Sequence, residues 1–153
     1  MGKEIERKFL LAEGASIPIP RVHQKLTIKQ GYLHAEKGKQ VRIRIYDDSK
    51  AYIGVKFTES QIRDEFEYPI PLEDGKLMYG KTEQKLEKRR LSFSRGKEHY
   101  DVDTFPNGLT FVEVEFKSMK AMENWEKPSW LGEEITGVGK YSNINLAKKD
   151  LKF

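Results

Sequence analysis

At 153 residues and a formal net charge of +4, with 28 basic residues nearly matched by 24 acidic ones, the chain is of one-domain length, and its bulk charge makes no case for nucleic acid. It has no cysteine and three histidines, which excludes a disulfide framework, a thiolate metal site and a cysteine nucleophile; any metal must rest mainly on carboxylates, a donor set for a hard cation such as Mg²⁺ or Mn²⁺. No window approaches a membrane span, and Glu4 and Glu6 interrupt the apolar stretch a signal peptide needs, so a cytoplasmic protein with no membrane partner is expected.

Strand patterns begin at residues 3–10 (KEIERKFL) and, after a linker punctuated by Pro18 and Pro20, at 26–33 (LTIKQGYL). Residues 40–46 (QVRIRIY) and 51–57 (AYIGVKF) flank the turn Asp47-Asp48-Ser49-Lys50 and read as a hairpin. A fifth strand, 63–70 (RDEFEYPI), stops near Pro69. Residues 72–82 read as a helix with acidic residues early and lysines late, despite Gly75 and Gly80. Strands resume at 84–93, 97–105 and 109–116, joined by turns at Arg95-Gly96 and Pro106-Asn107-Gly108. Ser118 is placed to cap a short helix through Trp125, and Ser142 or Asn143 to cap a last one. Eight strands on short turns with about three helices predict a single, mainly antiparallel α+β domain, and eight is the number at which a closed barrel has room for side chains or one small ligand.

Successive strand residues point to opposite faces, and sorting by parity separates two surfaces. One carries Glu4, Glu6, Lys8, Gln30, Tyr32, Arg42, Arg44, Lys56, Arg63, Glu65, Glu67, Lys88, Arg90, Asp101, Asp103, Glu113 and Glu115. The other is apolar, with Ile5, Phe9, Ile43, Ile53, Val55, Phe66, Val102, Val112 and Val114 among its members. A solvated sheet face would also be polar, but here like charges come in pairs two residues apart, roughly 7 Å from each other, and gain nothing unless an opposite charge lies between them. Paired carboxylates suit divalent cations and paired arginines suit phosphate oxygens; a surface holding both suits a metal-bound polyphosphate. Arg63 and Glu67 read equally as a salt bridge within that surface, Glu65 as a metal ligand or a partner for the arginines, and Trp125 and Trp130 as packing anchors for the helices.

The ordered set EIERKF, QGYL, VRIRI, VKF, EFE, LEKRR, DVD and VEVEF resembles the CYTH superfamily of triphosphate tunnel metalloenzymes over essentially the whole chain. The resemblance implies an eight-stranded antiparallel closed β-barrel with a charged lumen and a few flanking helices. It also implies a Mg²⁺ or Mn²⁺ site on Glu4, Glu6, Glu113 and Glu115 with Asp103 nearby. Lys8, Arg42, Arg44, Lys56, Lys88 and Arg90 take the place of a triphosphate clamp, and Lys56 with Tyr32 that of a pair acting on the attacking water. In GEEITGVGKYSN, Val138 and Gly139 replace the family's usual acidic and basic residues, leaving Lys140 as the basic contact there. The expected activity is metal-dependent hydrolysis of a triphosphate, with inorganic triphosphate favoured, in a monomer or homodimer. Alternatives in the same frame are a class IV type adenylate cyclase, a thiamine triphosphatase and a non-catalytic polyphosphate or nucleotide binding module.

Overall fold

The computed structural model describes residues 2–59 and 62–153. The alternating segments become β1 (Gly2–Leu11), β2 (Gln24–Glu36), β3 (Lys39–Tyr46), β4 (Lys50–Glu59), β5 (Ile62–Ile70), β6 (Gln84–Arg95), β7 (Glu98–Thr104) and β8 (Thr110–Phe116). All eight expected strands are present, β2 the most extended beyond its expected bounds. A short β9 (Leu131–Glu134) is additional. The helices are α1 (Leu72–Lys81), α2 (Met119–Asn124) and α3 (Asn143–Ala147), with a 3-10 turn over Gly139–Tyr141. Ser118 Oγ accepts from Ala121 N at 3.0 Å and Ser142 Oγ from Asn145 N at 3.2 Å, so Ser142 is the cap of α3, and the starts of α2 and α3 each have one of their orphan amides satisfied.

The strands hydrogen-bond in the order β5-β4-β3-β2-β6-β7-β8-β1-β9, and a further β5–β1 pairing closes the first eight into a barrel. Every ladder between them is antiparallel. One edge of β1 serves two partners. Gly2 to Ile5 pair with β5, whereas Phe9 and Leu11 pair with β9. The second pairing needs Gly132, because a Cβ there would stand 2.7 Å from the Leu11 carbonyl oxygen. The β3–β4 turn holds Asp47 and Asp48 at φ 52° and 54°, a left-handed conformation that Asp tolerates better than most residues, and Asp47 Oδ1 anchors it by accepting from Thr27 N at 2.8 Å.

The core lies largely outside the barrel. Phe9, Phe93, Tyr100, Val102, Val112, Val114, Phe116 and Trp130 are buried together on the outer wall, where Trp125 packs 5.6 Å from Phe9 and 5.1 Å from Phe116. Trp125 anchors the end of α2 as expected, whereas Trp130 packs on Phe93 and Tyr100 of β6 and β7 and not on a helix. α1 covers Ile43, Ile45 and Ala51 with Leu72, Met78 and Tyr79. The apolar face is not covered throughout, since Phe57, Phe66 and Tyr68 on β4 and β5 remain 41%, 39% and 51% exposed. A third cluster lies inside one end of the barrel: Tyr32, Leu86, Phe105 and Phe111 meet Ile135, Leu146 and Ala147. Leu86, Phe105 and Phe111 continue the parity of Lys88, Asp103 and Glu113, so the charged lumen ends there on an apolar floor beneath α3.

Candidate active site

The ladder registers turn parity into neighbours. Glu6 stands opposite Glu115, Lys8 opposite Glu113 and Glu4 opposite Arg63. Tyr32 pairs with Arg42, Gln30 with Arg44, Lys56 with Glu65, and Arg90 with Asp103. A central cavity of about 210 Å³ is lined by Glu4, Glu6, Arg42, Arg44, Lys56 and Arg63 together with Glu65, Arg90, Glu113 and Glu115.

Most of the cations are held by fixed partners, which orders them before any anion arrives. Arg42 Nη2 donates to Glu65 Oε1 at 3.1 Å, and Lys56 Nζ lies 3.3 Å from Glu65 Oε2. Arg44 Nε donates to Gln30 Oε1 at 2.8 Å, and Gln30 Nε2 to the Tyr32 hydroxyl at 2.6 Å. Arg90 grips both oxygens of Asp103 at 2.8 and 2.9 Å, with Lys88 Nζ 2.9 Å from Oδ2. Lys8 and Lys88 also donate to the C-terminal segment, to the Tyr141 carbonyl at 2.8 Å and to Asn143 Oδ1 at 2.9 Å. Arg42 Nε is buried with no hydrogen-bond partner, a donor left for a ligand in a lumen where an unmet group is costly.

Burial, joined by the repulsion of Arg42 and Arg63, lowers the Lys56 ammonium to about 8. For Glu65 burial acts upward, but Arg42 and Lys56 outweigh it and hold the carboxyl at about 2. For Asp103 burial likewise acts upward and is overcome by Arg90 and Lys88, which hold it well below the usual carboxylate range. Glu6 goes the other way: burial and the neighbouring Glu113 raise it to about 8.

Carboxylate oxygens of Glu4, Glu6 and Glu115 lie within 4.8 Å of one another. Glu113 adjoins them, near enough for its charge to raise the Glu6 carboxyl, and Glu6 Oε1 is buried without a hydrogen-bond partner. Crowded hard-oxygen donors, one of them a buried oxygen answered only by the charge of the Arg63 guanidinium, fit a divalent cation of the Mg²⁺ or Mn²⁺ type.

The expected site residues divide by position. Glu4, Glu6, Glu113 and Glu115 come together, as do Arg42, Arg44, Lys56 and Arg90 around the central cavity; Lys88 is fully buried against Asp103 and Asn143 and lines neither this cavity nor the adjoining one. Lys8 and Tyr32 line an adjoining cavity near the floor, with Lys56, Arg63 and residues of the C-terminal segment. Asp103 stands between Lys88 and Arg90, not in the three-glutamate group. Lys140 is exposed, its Nζ 5.0 Å from the centre of the Tyr141 ring. Glu65 is a partner for the arginines, one of the two roles its position suggested. The Tyr141 carbonyl and Asn143 lie in the GEEITGVGKYSN segment, where the absence of a strand period left their contacts with the lumen lysines unassigned.

The profile of the CYTH domain matches residues 2–152. The chain belongs to the CYTH family. A curated relative from Acetivibrio thermocellus, an inorganic triphosphatase, is 36% identical over 158 residues, covering 99% of this chain and 97% of its own. The inorganic triphosphatase of Nitrosomonas europaea is 32% identical over 153 residues, covering 94% and 96%. The crystal structure of an inorganic triphosphatase superposes on this CYTH chain with a TM-score of 0.67 at 29% identity, covering 97% of this chain and 96% of the other. The closed eight-stranded barrel is what the family resemblance implied, and the triphosphatase crystal structure shares this fold over nearly the whole chain.

Proposed function

We propose that this CYTH protein hydrolyses inorganic triphosphate to pyrophosphate and phosphate with the aid of Mg²⁺ or Mn²⁺. The observation that carries the reading is one lumen in which a wall of ordered cations faces a group of glutamates, in a chain matched nearly end to end by two inorganic triphosphatases. Arg42, Arg44 and Arg90, with Lys8 near the floor, hold the phosphate oxygens, the guanidinium forks matching them in pairs. Glu4, Glu6 and Glu115, with Glu113, would hold the divalent cation, which supplies charge neutralisation to the phosphates when bound. Asp103 orients Lys88 and Arg90 and lies beside the metal ligands without being one of them. Lys140, exposed in the turn before α3, is given no phosphate contact.

Lys56 takes the proton of the attacking water. Its amine is neutral in a sizeable fraction of molecules near pH 8, which matches a general base to its task. Tyr32, its hydroxyl bonded to Gln30, orients the water from the same cavity wall.

A second reading draws on the far mouth of the barrel, a cavity of about 580 Å³ lined by Tyr46, Tyr52, Glu67, His99 and Asp101 among others, where Tyr46 and Tyr52 meet edge to face at 5.4 Å. That space would accept a nucleoside emerging from the lumen, as an adenylate cyclase requires. Purified protein with Mg²⁺ is given inorganic triphosphate, ATP and thiamine triphosphate in parallel, and the products are separated. Pyrophosphate and phosphate from inorganic triphosphate at the highest kcat/KM are expected. Cyclic AMP as the main product from ATP would overturn the proposal, and tight binding with no turnover would point to a binding module.

A further inference from the structure

Arg63 differs from the other lumen cations in its choice of partner. Arg42 and Lys56 lean on Glu65, Arg90 and Lys88 on Asp103, and Arg44 on Gln30, none of them in the three-glutamate group. Arg63 instead reaches from β5 across the barrel seam into the candidate metal ligands: Nη1 lies 2.5 Å from Glu6 Oε1 and 3.9 Å from Glu113 Oε2. The approach to Glu6 is off the N–H axis. Arg63 Nε and Glu6 Oε1 are both buried without a hydrogen-bond partner, so the contact is one of charge more than of hydrogen bonding. Its guanidinium thus stands where positive charge is needed among crowded carboxylates.

A divalent cation and a guanidinium compete for such a position, because each neutralises the same oxygens and the two repel each other. The displaced side chain has a place to go. Arg63 lines both the central cavity and the cavity near the floor, beside Arg42 and Lys56, and its side chain is 23% exposed, which leaves it room to turn. Its unpaired Nε and released Nη groups then face the space assigned to phosphate.

We infer that Arg63 is a tethered counter-ion that holds the metal carboxylates in the empty protein and is handed to the triphosphate when the divalent cation takes its place. It is a positioning residue for the metal and a ligand for the anion. The consequence is coupling: metal binding alone is opposed by Arg63, and the opposition is repaid when an anion receives the guanidinium. The inference rests on the reading of this lumen as a site for metal and triphosphate.

The test uses the full-length protein and two ligands measured separately. Mn²⁺ binding without anion is followed by the electron paramagnetic resonance of the free ion, and binding of non-hydrolysable diimidotriphosphate by calorimetry at saturating Mn²⁺. Arg63→Met is expected to tighten Mn²⁺ binding by about tenfold or more and to weaken diimidotriphosphate binding by about tenfold or more, with Arg63→Lys between the native protein and Arg63→Met on both scales. Opposite directions for the two ligands are the signature, since a merely structural loss weakens both. Unchanged or weaker Mn²⁺ binding in Arg63→Met sinks the inference while Mn²⁺ binding by the native protein keeps the site itself. Absence of Mn²⁺ binding from native and variant alike removes both. Thermal melting accompanies each variant, and if Arg63→Met does not fold, Arg63→Gln takes its place with the same expected directions.

Discussion

Lys56 Nζ and Glu65 Oε2 lie 3.3 Å apart across the β4–β5 ladder, and the other Glu65 oxygen accepts Arg42. One carboxylate therefore restrains two cations, and its attraction opposes the burial that lowers Lys56 to about 8. As the proposed base, Lys56 works when neutral. Turnover is expected to rise with pH through about 8 and then level off, and Lys56→Arg is expected to lose that rising limb with most of the rate. Glu65→Gln removes an influence that favours the ammonium, so the limb moves to lower pH. A pH profile of kcat for the three proteins checks this; a limb left in place by Lys56→Arg rules out the assignment.

Glu65 also ties stability to acid. Its folded value of about 2 lies below the ordinary 4.5, so between the two the unfolded chain binds more protons than the folded one. The stabilisation is complete above about pH 4.5 and is lost as pH falls toward 2. It amounts to something on the order of 3 kcal/mol. Urea unfolding at stepped pH is expected to show a shallower acid loss in Glu65→Gln than in the native protein.

The metal ligands carry their own test. Glu4→Gln or Glu115→Gln leaves fewer charged oxygens in the group that lies within 4.8 Å, and each is expected to weaken Mn²⁺ binding by at least about tenfold and to cut Mg²⁺-dependent turnover in step. Full activity in either variant would refute the assignment.

Lys88 and Asp103 are 0% and 3% exposed in their side chains and 2.9 Å apart. Removing one partner strands the other: Asp103→Asn leaves Lys88 and Arg90 without their shared anion and is expected to cost about 3–5 kcal/mol in urea unfolding. Lys88→Met combined with Asp103→Asn is expected to cost less than the sum of the single changes, a coupling the double-mutant cycle reads directly.

Gly132→Ala tests the β1–β9 pairing. The added Cβ would meet the Leu11 carbonyl at 2.7 Å, backbone that cannot turn aside as a side chain does. A lower melting temperature, with amide exchange faster at Leu131 and Leu11 than in the native protein, is expected.

Parity carried far in this chain because a closed barrel has an inside as well as an outside, and the period of two assigns every strand residue to one or the other. Glu4, Glu6 and Glu115 were legible for that reason, and so were Arg42 and Arg44. What parity lacks is register. Asp103 shares a face with Glu113, but whether it meets glutamates or cations depends on its opposite number in β6, which proves to be Arg90. β9 was missed because Leu131-Gly132-Glu133-Glu134 is four residues long with no alternation. Asn143 and the Tyr141 carbonyl reach the lysines from a 3-10 turn and a helix start, where contacts follow from chain path and not from period. The exposed Phe57, Phe66 and Tyr68 mark the reverse limit: a face can be apolar by composition and still stand between 39% and 51% exposed.

The floor built by Leu86, Phe105 and Phe111 beneath α3 closes one side of this end of the barrel, while the cavity lined by Lys8, Lys37, Lys56 and Arg63 opens beside it. On the proposed function, a linear polyanion that met these apolar side chains would find no donor there to repay its lost water, and would have to turn toward the basic side of the opening.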